Sequence, residues 1–278
     1  MKKLLMLLLV LSTSAVLFAG CADNKQSSSA NVQQSKTKAK ISVIGSTSVQ
    51  PLAQEIADTY DAAQIDYQGV GSSAGIKAVI DGTADIGTSS RELKDEEKAS
   101  NIKEYLIAYD GIAVVLNPAN TVSELTTAQV ASIFKGEIKN WKEVGGADEE
   151  IIVVSREAGS GTRDAFEEIT KLVKDKVSQL SDKALIADGN GAVKQNVASK
   201  KNAVGYLSIG YLDTTVKAAK VDGTAATEQN VKEGKYKIMR PFIMMTKGEE
   251  KPEVKAFIDY VMGDKGQAVV AKSYISIK

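Results

Sequence analysis

Four short segments rich in glycine, serine and threonine follow strand-like runs of the sequence, and their chemistry is that of anion binding. Helix N-termini present unpaired N–H groups, hydroxyl side chains add further donors, and small residues let an oxyanion approach the main chain. In an open α/β sheet the carboxyl ends of the strands face the ligand crevice. The segments are Gly45–Ser48, Gly71–Ser73, Thr88–Arg91 and Gly159–Thr162. Together they predict a site for a small tetrahedral anion.

Two arginines accompany these segments. Arg91 ends the third segment, and Arg156 stands shortly before the fourth. A guanidinium offers a planar fork of charge-assisted hydrogen bonds to an oxyanion. One such turn alone would be weak evidence, because serine and threonine are also good helix N-caps. Four turns with two arginines favour a binding site.

The composition excludes several common kinds of catalytic and metal site. The chain has 278 residues, with 35 basic and 35 acidic side chains, one cysteine and no histidine. A Ser-His-Asp triad, a histidine-ligated zinc site, an intramolecular disulfide and an iron–sulfur site are therefore excluded. A formal net charge of zero gives no electrostatic footprint for nucleic acid. We expect no metal, no cofactor and no nucleic-acid partner.

Two motifs superficially match those of enzymes. Gly71-Ser72-Ser73-Ala74-Gly75 has the spacing of a hydrolase nucleophile elbow, but the serine would need a base, which here cannot be histidine. Gly69-Val70-Gly71 followed by Ala74 resembles a dinucleotide fingerprint, yet no clear ribose-binding acid follows at the expected spacing. We predict that the chain is not an enzyme.

The N-terminus has the pattern of an export signal. Lys2 and Lys3 precede an apolar run that ends at Phe18, and Ala19-Gly20-Cys21 follows directly. This ending resembles the lipobox of bacterial lipoproteins, although Phe18 stands where an aliphatic residue is usual. The resemblance implies a signal peptide over residues 1–20, cleavage before Cys21 and a lipid on its sulfur. The alternative is a plain signal peptide with a chance cysteine.

Residues 21–40 continue from the predicted lipidated cysteine as a polar segment, which predicts a flexible tether. Removing the six lysines and one aspartate before Ile41 leaves 29 basic and 34 acidic residues, so the remaining chain has a net charge of −5. A basic tether beside a lipid favours an anionic membrane surface, and a merely solvated spacer fits the composition equally well.

From Ile41 onward, short β-branched runs alternate with amphipathic helical ones, which predicts an α/β fold with mainly parallel strands. The predicted strands are 41–44, 65–70, 85–88, 112–116, 151–154, 203–207 and 238–245. Helices are predicted from Pro51, after 71–73, over 127–134, after Thr162 and over 252–262. The helix after Thr162 is expected to bury Phe166, Ile169 and Val173.

Several motifs in order resemble those of the phosphate-binding lipoproteins of bacterial high-affinity phosphate ABC transporters. The resemblance covers essentially all of the chain after the predicted signal. The segments that carry it are Gly45–Pro51, Gly71–Gly75, Gly87–Arg91, Asp110–Val115, Phe134–Trp141, Arg156–Arg163 and Ala203–Ser208.

This resemblance implies a two-lobed fold of the type II periplasmic binding proteins, with two crossover strands and closure on the ligand like a hinged clamp. We expect the crossovers at Ile112–Leu116 and Ile238–Met245. One lobe would comprise residues 41–112 with 240–278, and the other residues 113–239.

The resemblance also implies which residues bind phosphate. Hydroxyl and N–H donors would come from the turns, with Arg156 as the cationic clamp. The full implied set is Thr47, Ser48, Ser72, Ser90, Arg156, Ser160, Gly161 and Thr162, with Ser46, Ser73, Arg91 and Arg163 as further ligands or supporting residues. Arg91 is expected either to face the ligand or to pair with a local acid such as Glu92.

Ser90 departs from the family pattern. Many members have an aspartate at this position, whose carboxylate accepts the proton of a phosphate hydroxyl and rejects fully ionised sulfate. A serine oxygen can also accept a hydrogen bond, but it is a weaker filter. The departure leaves the mechanism of selectivity open.

We therefore expect an extracytoplasmic lipoprotein of a Gram-positive bacterium that captures inorganic phosphate and delivers it to an ABC permease and its ATPase. The lipid on Cys21 would be its membrane anchor. Two alternatives remain: a binding protein for another tetrahedral oxyanion such as sulfate or molybdate, and a surface lipoprotein without a transport role.

Overall fold

The computed structural model describes residues 38–278, which contain thirteen strands, nine α-helices and two short 3-10 helices. The predicted signal peptide, Cys21 and nearly all of the predicted tether lie outside the described residues. The strands are β1 (Ala39–Gly45), β2 (Ala63–Gly69), β3 (Ile86–Ser89), β4 (Ile102–Leu116), β5 (Glu124–Leu125), β6 (Ile152–Arg156), β7 (Val173–Lys174), β8 (Val177–Ser178), β9 (Leu185–Ala187), β10 (Ala203–Ser208), β11 (Lys217–Ala218), β12 (Lys220–Val221) and β13 (Met239–Lys247). The helices are α1 (Gln50–Asp58), α2 (Ser72–Ile80), α3 (Asp95–Lys98), α4 (Thr127–Lys135), α5 (Gly161–Ile169), α6 (Gly189–Ser199), α7 (Glu228–Lys232), α8 (Pro252–Met262) and α9 (Asp264–Val270).

The main sheet has the strand order β2-β1-β3-β13-β4-β10-β6-β9, with β11 paired to β4. Strands β1, β2 and β3 are parallel to one another, and so are β10, β6 and β9. Strand β13 is antiparallel to β3 and β4, and β10 is antiparallel to β4. The sheet is therefore mixed rather than mainly parallel, because the two strands at its centre run in opposite directions.

These central strands pass between the two main clusters of buried hydrophobic side chains. The first cluster includes residues up to Ala108 and again from Phe242 onward, together with Leu52 of α1 and Phe257 of α8. The second cluster includes residues 112–238, and at its centre the rings of Phe166 and Tyr206 stack with their centroids 3.9 Å apart. Strand β4 thus changes cluster between Ala108 and Ile112, and the chain changes back just before Phe242. The second change falls within the predicted Ile238–Met245, whereas the first lies just before the predicted Ile112–Leu116, all of which belongs to the second cluster.

Most elements match their prediction closely. Helix α8 has the predicted bounds and buries Phe257, Ile258 and Val261. The prediction for α5 is wrong at its end. The helix stops at Ile169, and Val173 lies on β7 with 39 % of its surface exposed. The chain leaves the helical direction at Lys171, whose φ of 59° is left-handed.

Four helices start directly after a strand or the turn that follows it, so their N-termini lie at the carboxyl ends of strands. Helix α1 follows β1, α2 follows β2, α5 follows β6 and α6 follows β9. The first N–H groups of a helix have no acceptor within it. Both halves of the sheet thus have N–H donors at the carboxyl ends of their strands, β1 and β2 in one half and β6 and β9 in the other. Across residues 38–278 the structure contains no helix with the length and apolar character needed to cross a bilayer.

Candidate functional site

The first and fourth sequence turns meet through their hydroxyl side chains. Ser48 is fully buried, and its Oγ lies 2.8 Å from Oγ1 of Thr162 in the first turn of α5. The second turn also reaches the fourth, since Ser73 N–H donates to the carbonyl of Gly159 (3.1 Å). Groups more than a hundred residues apart in the chain are therefore in contact, as the sequence analysis expected for one binding site.

Arg156 lies at the centre of this arrangement with 1 % of its surface exposed. Its Nη2 donates to Thr47 Oγ1 (3.0 Å) and to Glu157 Oε1 (2.7 Å), and its Nε donates to Glu157 Oε2 (2.7 Å). Among residues 38–278, Nη1 has no hydrogen-bond partner. Buried polar groups are nearly always satisfied, and an unsatisfied cationic donor is especially costly. This nitrogen is therefore the strongest indication of a bound anion.

Glu157 holds Arg156 in place without occupying that nitrogen. Its Oε2 also accepts the N–H of Gly189 (3.1 Å) at the start of α6. Burial alone would raise the pKa of the Glu157 carboxyl, but the hydrogen bonds and charge of Arg156, with that N–H, hold the pKa below its usual range. Glu157 therefore stays ionised at neutral pH and fixes two nitrogens of the guanidinium.

Three serines form a buried chain of hydroxyls on the other side. Ser46 Oγ donates to Ser90 Oγ (2.8 Å), and Ser90 Oγ lies 3.3 Å from Ser72 Oγ. The backbone N–H of Ser90 also donates to Ser72 Oγ (3.1 Å). A Cβ on Gly161 would overlap Ser72 Oγ and lie 2.9 Å from Ser90 Oγ. Only glycine thus lets the start of α5 come so close to these two hydroxyls.

The start of α5 supplies the remaining predicted groups. Ser160, Gly161 and Thr162 are all buried. Ser160 is the N-cap, and its Oγ accepts the N–H of Arg163 (3.2 Å). The N–H groups of Gly161 and Thr162 have no acceptor within the helix, because they belong to its first turn.

Two of the supporting candidates pair with carboxylates instead of facing the site. The guanidinium of Arg91 bonds Glu97 through Nη1 and Nη2 (both 2.8 Å), and its Nε lies 2.9 Å from Asp164 Oδ2, an ion pair rather than an aligned hydrogen bond. Arg163 donates to Glu167 (2.7 Å). The expectation of a local acid for Arg91 is met by Glu97 and Asp164, whereas only the carbonyl of Glu92 contacts Arg91.

Ser73, the remaining supporting candidate, accepts a hydrogen bond from Arg91 Nη2 (3.2 Å). Its side chain therefore belongs to the surroundings of Arg91. Ser46, by contrast, is part of the buried hydroxyl chain.

The sequence analysis missed Asn190 and Tyr211. Asn190 is fully buried at the start of α6, and its Nδ2 donates to Thr47 Oγ1 (3.1 Å) and Ser48 Oγ (2.9 Å). Tyr211 Oη donates to the carbonyl of Thr47 (2.8 Å). The signal for Asn190 was a fifth strand-end turn, Gly189-Asn190-Gly191, which follows a strand of only three residues.

A buried ion pair adjoins the site at the crossing strands. Arg240 of β13 donates from Nε (3.1 Å) and Nη2 (2.8 Å) to Asp110 Oδ2 of β4, and its Nη1 lies 3.4 Å from the carbonyl of Ser90. Ser208 Oγ donates to Asp110 Oδ1 (2.9 Å). Burial raises the pKa of Asp110 and lowers the pKa of Arg240, so each group depends on the other to remain charged.

Comparison with known proteins places this architecture among binding proteins. Residues 30–265 match the family model described as the PBP superfamily domain. The phosphate-binding protein PstS of Bacillus subtilis strain 168 is 32 % identical over 289 residues, covering 99 % of this chain and 95 % of that relative. PstS 2 of Streptococcus agalactiae is 43 % identical over 129 residues, covering 44 % of each chain.

Two solved structures are similar over most of the described chain. A Clostridium perfringens substrate-binding protein assigned to a phosphate ABC transporter, with bound phosphate, is 44 % identical with a TM-score of 0.83, covering 86 % of this chain and all of that one. An ABC-type phosphate transport receptor from Vibrio cholerae is 36 % identical with a TM-score of 0.72, over the same shares. The predicted two-lobed α/β fold of the type II periplasmic binding proteins is confirmed.

Proposed function

Because this chain belongs to the PstS family of phosphate-binding proteins within the PBP superfamily, we propose that it captures inorganic phosphate and hands it to an ABC transporter. The observation that carries the proposal is Nη1 of the buried Arg156, which has no hydrogen-bond partner among residues 38–278, while Nη2 of the same guanidinium donates to Thr47 Oγ1. Such a group is costly to bury unless an anion accepts its hydrogens.

The proposed ligands of phosphate are the residues that the turns bring together. Arg156 supplies the charge. Thr47 and Ser48, Ser72 and Ser90, and Ser160, Gly161 and Thr162 supply hydroxyl and N–H donors. Ser46 supports Ser90, while Ser73, Arg91 and Arg163 act outside the ligand shell, since their side chains are held by each other or by carboxylates.

We propose that capture closes the two lobes over the ion. Residues 41–112 with 240–278 would form one lobe and residues 113–239 the other, in agreement with the change of hydrophobic cluster along β4 and before Phe242. Thr47 and Ser48 would then come from one lobe, and Arg156 and Thr162 from the other. The hydrogen bonds between them would form or break with closure.

The proposed setting is the extracytoplasmic face of a cell membrane in a Gram-positive bacterium. A lipid on Cys21 would anchor the protein there, and the permease subunits with their ATPase would receive the phosphate. Binding needs no covalent step, so the proposed protein is a carrier and not an enzyme. Radiolabelled palmitate incorporation tests the anchor, with Cys21→Ala as the variant that should lose the label.

The direct test of the proposed function is isothermal titration calorimetry of the full-length chain with phosphate, sulfate and molybdate. We expect tight binding of phosphate. A chain that ignores phosphate and binds sulfate tightly would contradict the assignment.

A second candidate ligand class is another tetrahedral oxyanion, and Ser90 is the observation that favours it. Where a carboxylate would reject a fully ionised anion, this chain has a hydroxyl that accepts from Ser46 and retains its own proton. The same titration separates the two candidates. Ser90→Asp should weaken sulfate binding far more than phosphate binding if position 90 faces the ligand.

A further inference from the structure

Asn190 donates hydrogen bonds to the hydroxyls of two proposed ligand residues, Thr47 and Ser48. We propose that it is a positioning residue for anion specificity: its amide occupies acceptor sites of Thr47 and Ser48 and so directs hydroxyl protons at the bound anion. The inference rests on the proposed function, because it concerns the same site. It assigns to Asn190 a role that does not require contact with the ligand.

The orientation of the Asn190 amide is set by a backbone group. The N–H of Ser208 donates to Asn190 Oδ1 (3.1 Å). A backbone N–H can only donate, so the oxygen of the amide must face Ser208 and the nitrogen must face Thr47 and Ser48. Both hydrogens of Nδ2 are then used, at 3.1 Å to Thr47 Oγ1 and 2.9 Å to Ser48 Oγ.

The Thr47 hydroxyl can only donate to any further group. Its Oγ1 accepts from Asn190 Nδ2 and from Arg156 Nη2 (3.0 Å), and these two donors fill both lone pairs of the hydroxyl. Neither donor can accept the proton of Thr47. That proton is therefore committed to a third group, and a bound oxyanion beside Arg156 provides the acceptor.

Ser48 and Thr162 are constrained as a pair. Ser48 Oγ accepts from Asn190 and lies 2.8 Å from Thr162 Oγ1, so one of the two hydroxyls donates to the other. Whichever way that bond runs, one hydroxyl proton of the pair is not used by it. Asn190 thus leaves two protons, one from Thr47 and one from this pair, available to an anion.

The opposite side of the site is not constrained in this way. Ser72 Oγ accepts from the Ser90 N–H, Ser90 Oγ accepts from Ser46, and one of the two hydroxyls donates to the other across 3.3 Å, which leaves the pair one proton and one lone pair. These two side chains can accept or donate. The site therefore has a committed donor at Thr47, set by Asn190 and Arg156, and a hydroxyl pair at Ser72 and Ser90 that can donate or accept, which suits an oxyanion whose protonated oxygen faces that pair.

A rigid set of contacts supports the Asn190 amide. Ser208, which fixes its orientation, also donates from Oγ to Asp110 Oδ1 (2.9 Å), and Asp110 is paired with Arg240. The amide is thus tied to the strands that cross at the centre of the sheet. A rotation of Asn190 would break a buried hydrogen bond at each end, which is costly.

The main test is Asn190→Asp in the full-length chain, with phosphate affinity measured by calorimetry. A carboxylate of the same shape can only accept, so Thr47 and Ser48 would turn their protons toward it, and its charge would oppose the anion. We expect a loss of about a hundredfold or more in affinity at pH 7.5. Asn196→Asp is the matched control, because it makes the same change on α6, where the Asn196 amide bonds only the carbonyl of Ala192 and the amine of Lys200.

A pH series tests whether ionisation of the new carboxyl at position 190, with its charge and its loss of a donor, causes the deficit. A protonated carboxyl at position 190 can again donate one hydrogen bond, so the affinity deficit of Asn190→Asp relative to the wild type should shrink as the pH falls. Asn196→Asp should stay within twofold of the wild type throughout. Equal affinities of Asn190→Asp and Asn196→Asp would overturn the inference, whereas a wild-type chain that does not bind phosphate would overturn the proposed function instead.

A double-mutant cycle keeps the inference testable if Asn190→Asp does not fold. Asn190→Ala carries no charge, and its fold is checked by circular dichroism. We expect Asn190→Ala to weaken binding about tenfold and to lose most of that effect in a Thr47→Val background, because residues that act through one another are not additive. Fully additive losses would show that Asn190 does not act through Thr47, and would overturn the inference.

Discussion

Among residues 38–278, the buried guanidinium groups of Arg156 and Arg240 each pair with a carboxylate, but the two pairs differ in what they leave without a partner. Arg156 and Glu157 are neighbours in sequence at the end of β6, and the pair leaves the two hydrogens of Nη1 unpartnered among residues 38–278. Arg240 and Asp110 come from β13 and β4, and there all three guanidinium nitrogens contact Asp110 or the carbonyl of Ser90.

The difference indicates what each pair does. A pair that joins two strands and gives every guanidinium nitrogen a partner holds the crossing point of the strands together. A pair that leaves one buried guanidinium nitrogen without a partner among residues 38–278 provides a fixed cation that can still donate to an anion. Burial alone therefore does not identify the binding arginine; a buried nitrogen with neither a hydrogen-bond nor an ion-pair partner does.

The largest expected effect is on stability. Arg240→Ala leaves Asp110 as an uncompensated buried charge, which we expect to cost about 3–5 kcal/mol in the free energy of unfolding. Urea unfolding measures it, with Lys255→Ala as a control, because Lys255 pairs with Asp259 on the exposed face of α8. Similar losses from both variants would remove the structural role of the Arg240 pair.

Arg156→Ala should mainly affect binding. The anion would lose its only charged partner in the site, so we expect phosphate affinity to fall on the order of a hundredfold, about 3 kcal/mol. Calorimetry measures this, and Lys142→Ala, which removes an exposed cation paired with Asp148, is the control. The comparison fails if Arg156→Ala binds phosphate normally while a folded Arg240→Ala does not.

A third arginine, Arg91, is buried but pairs with a partly exposed carboxylate. Arg91 is buried and pairs with Asp164 on α5, whose side chain is 34 % exposed. If closure brings these chain segments together, Asp164→Asn should speed phosphate release about threefold, a small effect because solvent screens the pair. Stopped-flow release rates at low and high salt test this, with Asp148→Asn as the surface control. A release rate equal to that of the wild type at low salt would exclude a role in closure.

The smallest expected effect is a pH dependence of the Arg156 pair. The pKa of Glu157 is held below its usual range, so its pairing stabilises the fold above the ordinary glutamate pKa of about 4.3 and is lost as the pH falls below that value. Wild type should therefore lose more stability than Glu157→Gln between pH 5 and about pH 3. Urea unfolding across that range measures the difference, and Glu149→Gln, on the surface, should behave like the wild type.

Local pattern was sufficient for most elements and for the turns. Hydrophobic spacing predicts α8 to the residue. The end of α5 was not predictable, because a left-handed Lys171 leaves no mark in the hydrophobic pattern. The pairing of Arg91 with Asp164 could not be predicted either, because Asp164 lies on a helix more than seventy residues away.

The residues of the site also divide into those that the sequence pattern indicates and those that only the structure identifies. The four turns and Arg156 stand out in the sequence because glycine, hydroxyls and arginine after strands have few other uses in combination. Asn190 does not stand out, because an asparagine after a short strand is an ordinary turn residue. Only its contacts with Thr47, Ser48 and Ser208 distinguish it.

The sequence by itself determined the kind of chemistry available: without histidine and with one cysteine, the groups at hand are amides, hydroxyls and guanidinium, which keep their protonation near neutral pH. Only the tertiary structure decided that Arg156 keeps a nitrogen without a partner among residues 38–278 and that the Thr47 hydroxyl must donate. The physical reason is that a hydrogen bond consumes a specific proton or lone pair, and the partners that consume them here come from distant parts of the chain. Thr47 meets Arg156 across 109 positions and Asn190 across 143, separations at which no local pattern predicts contact.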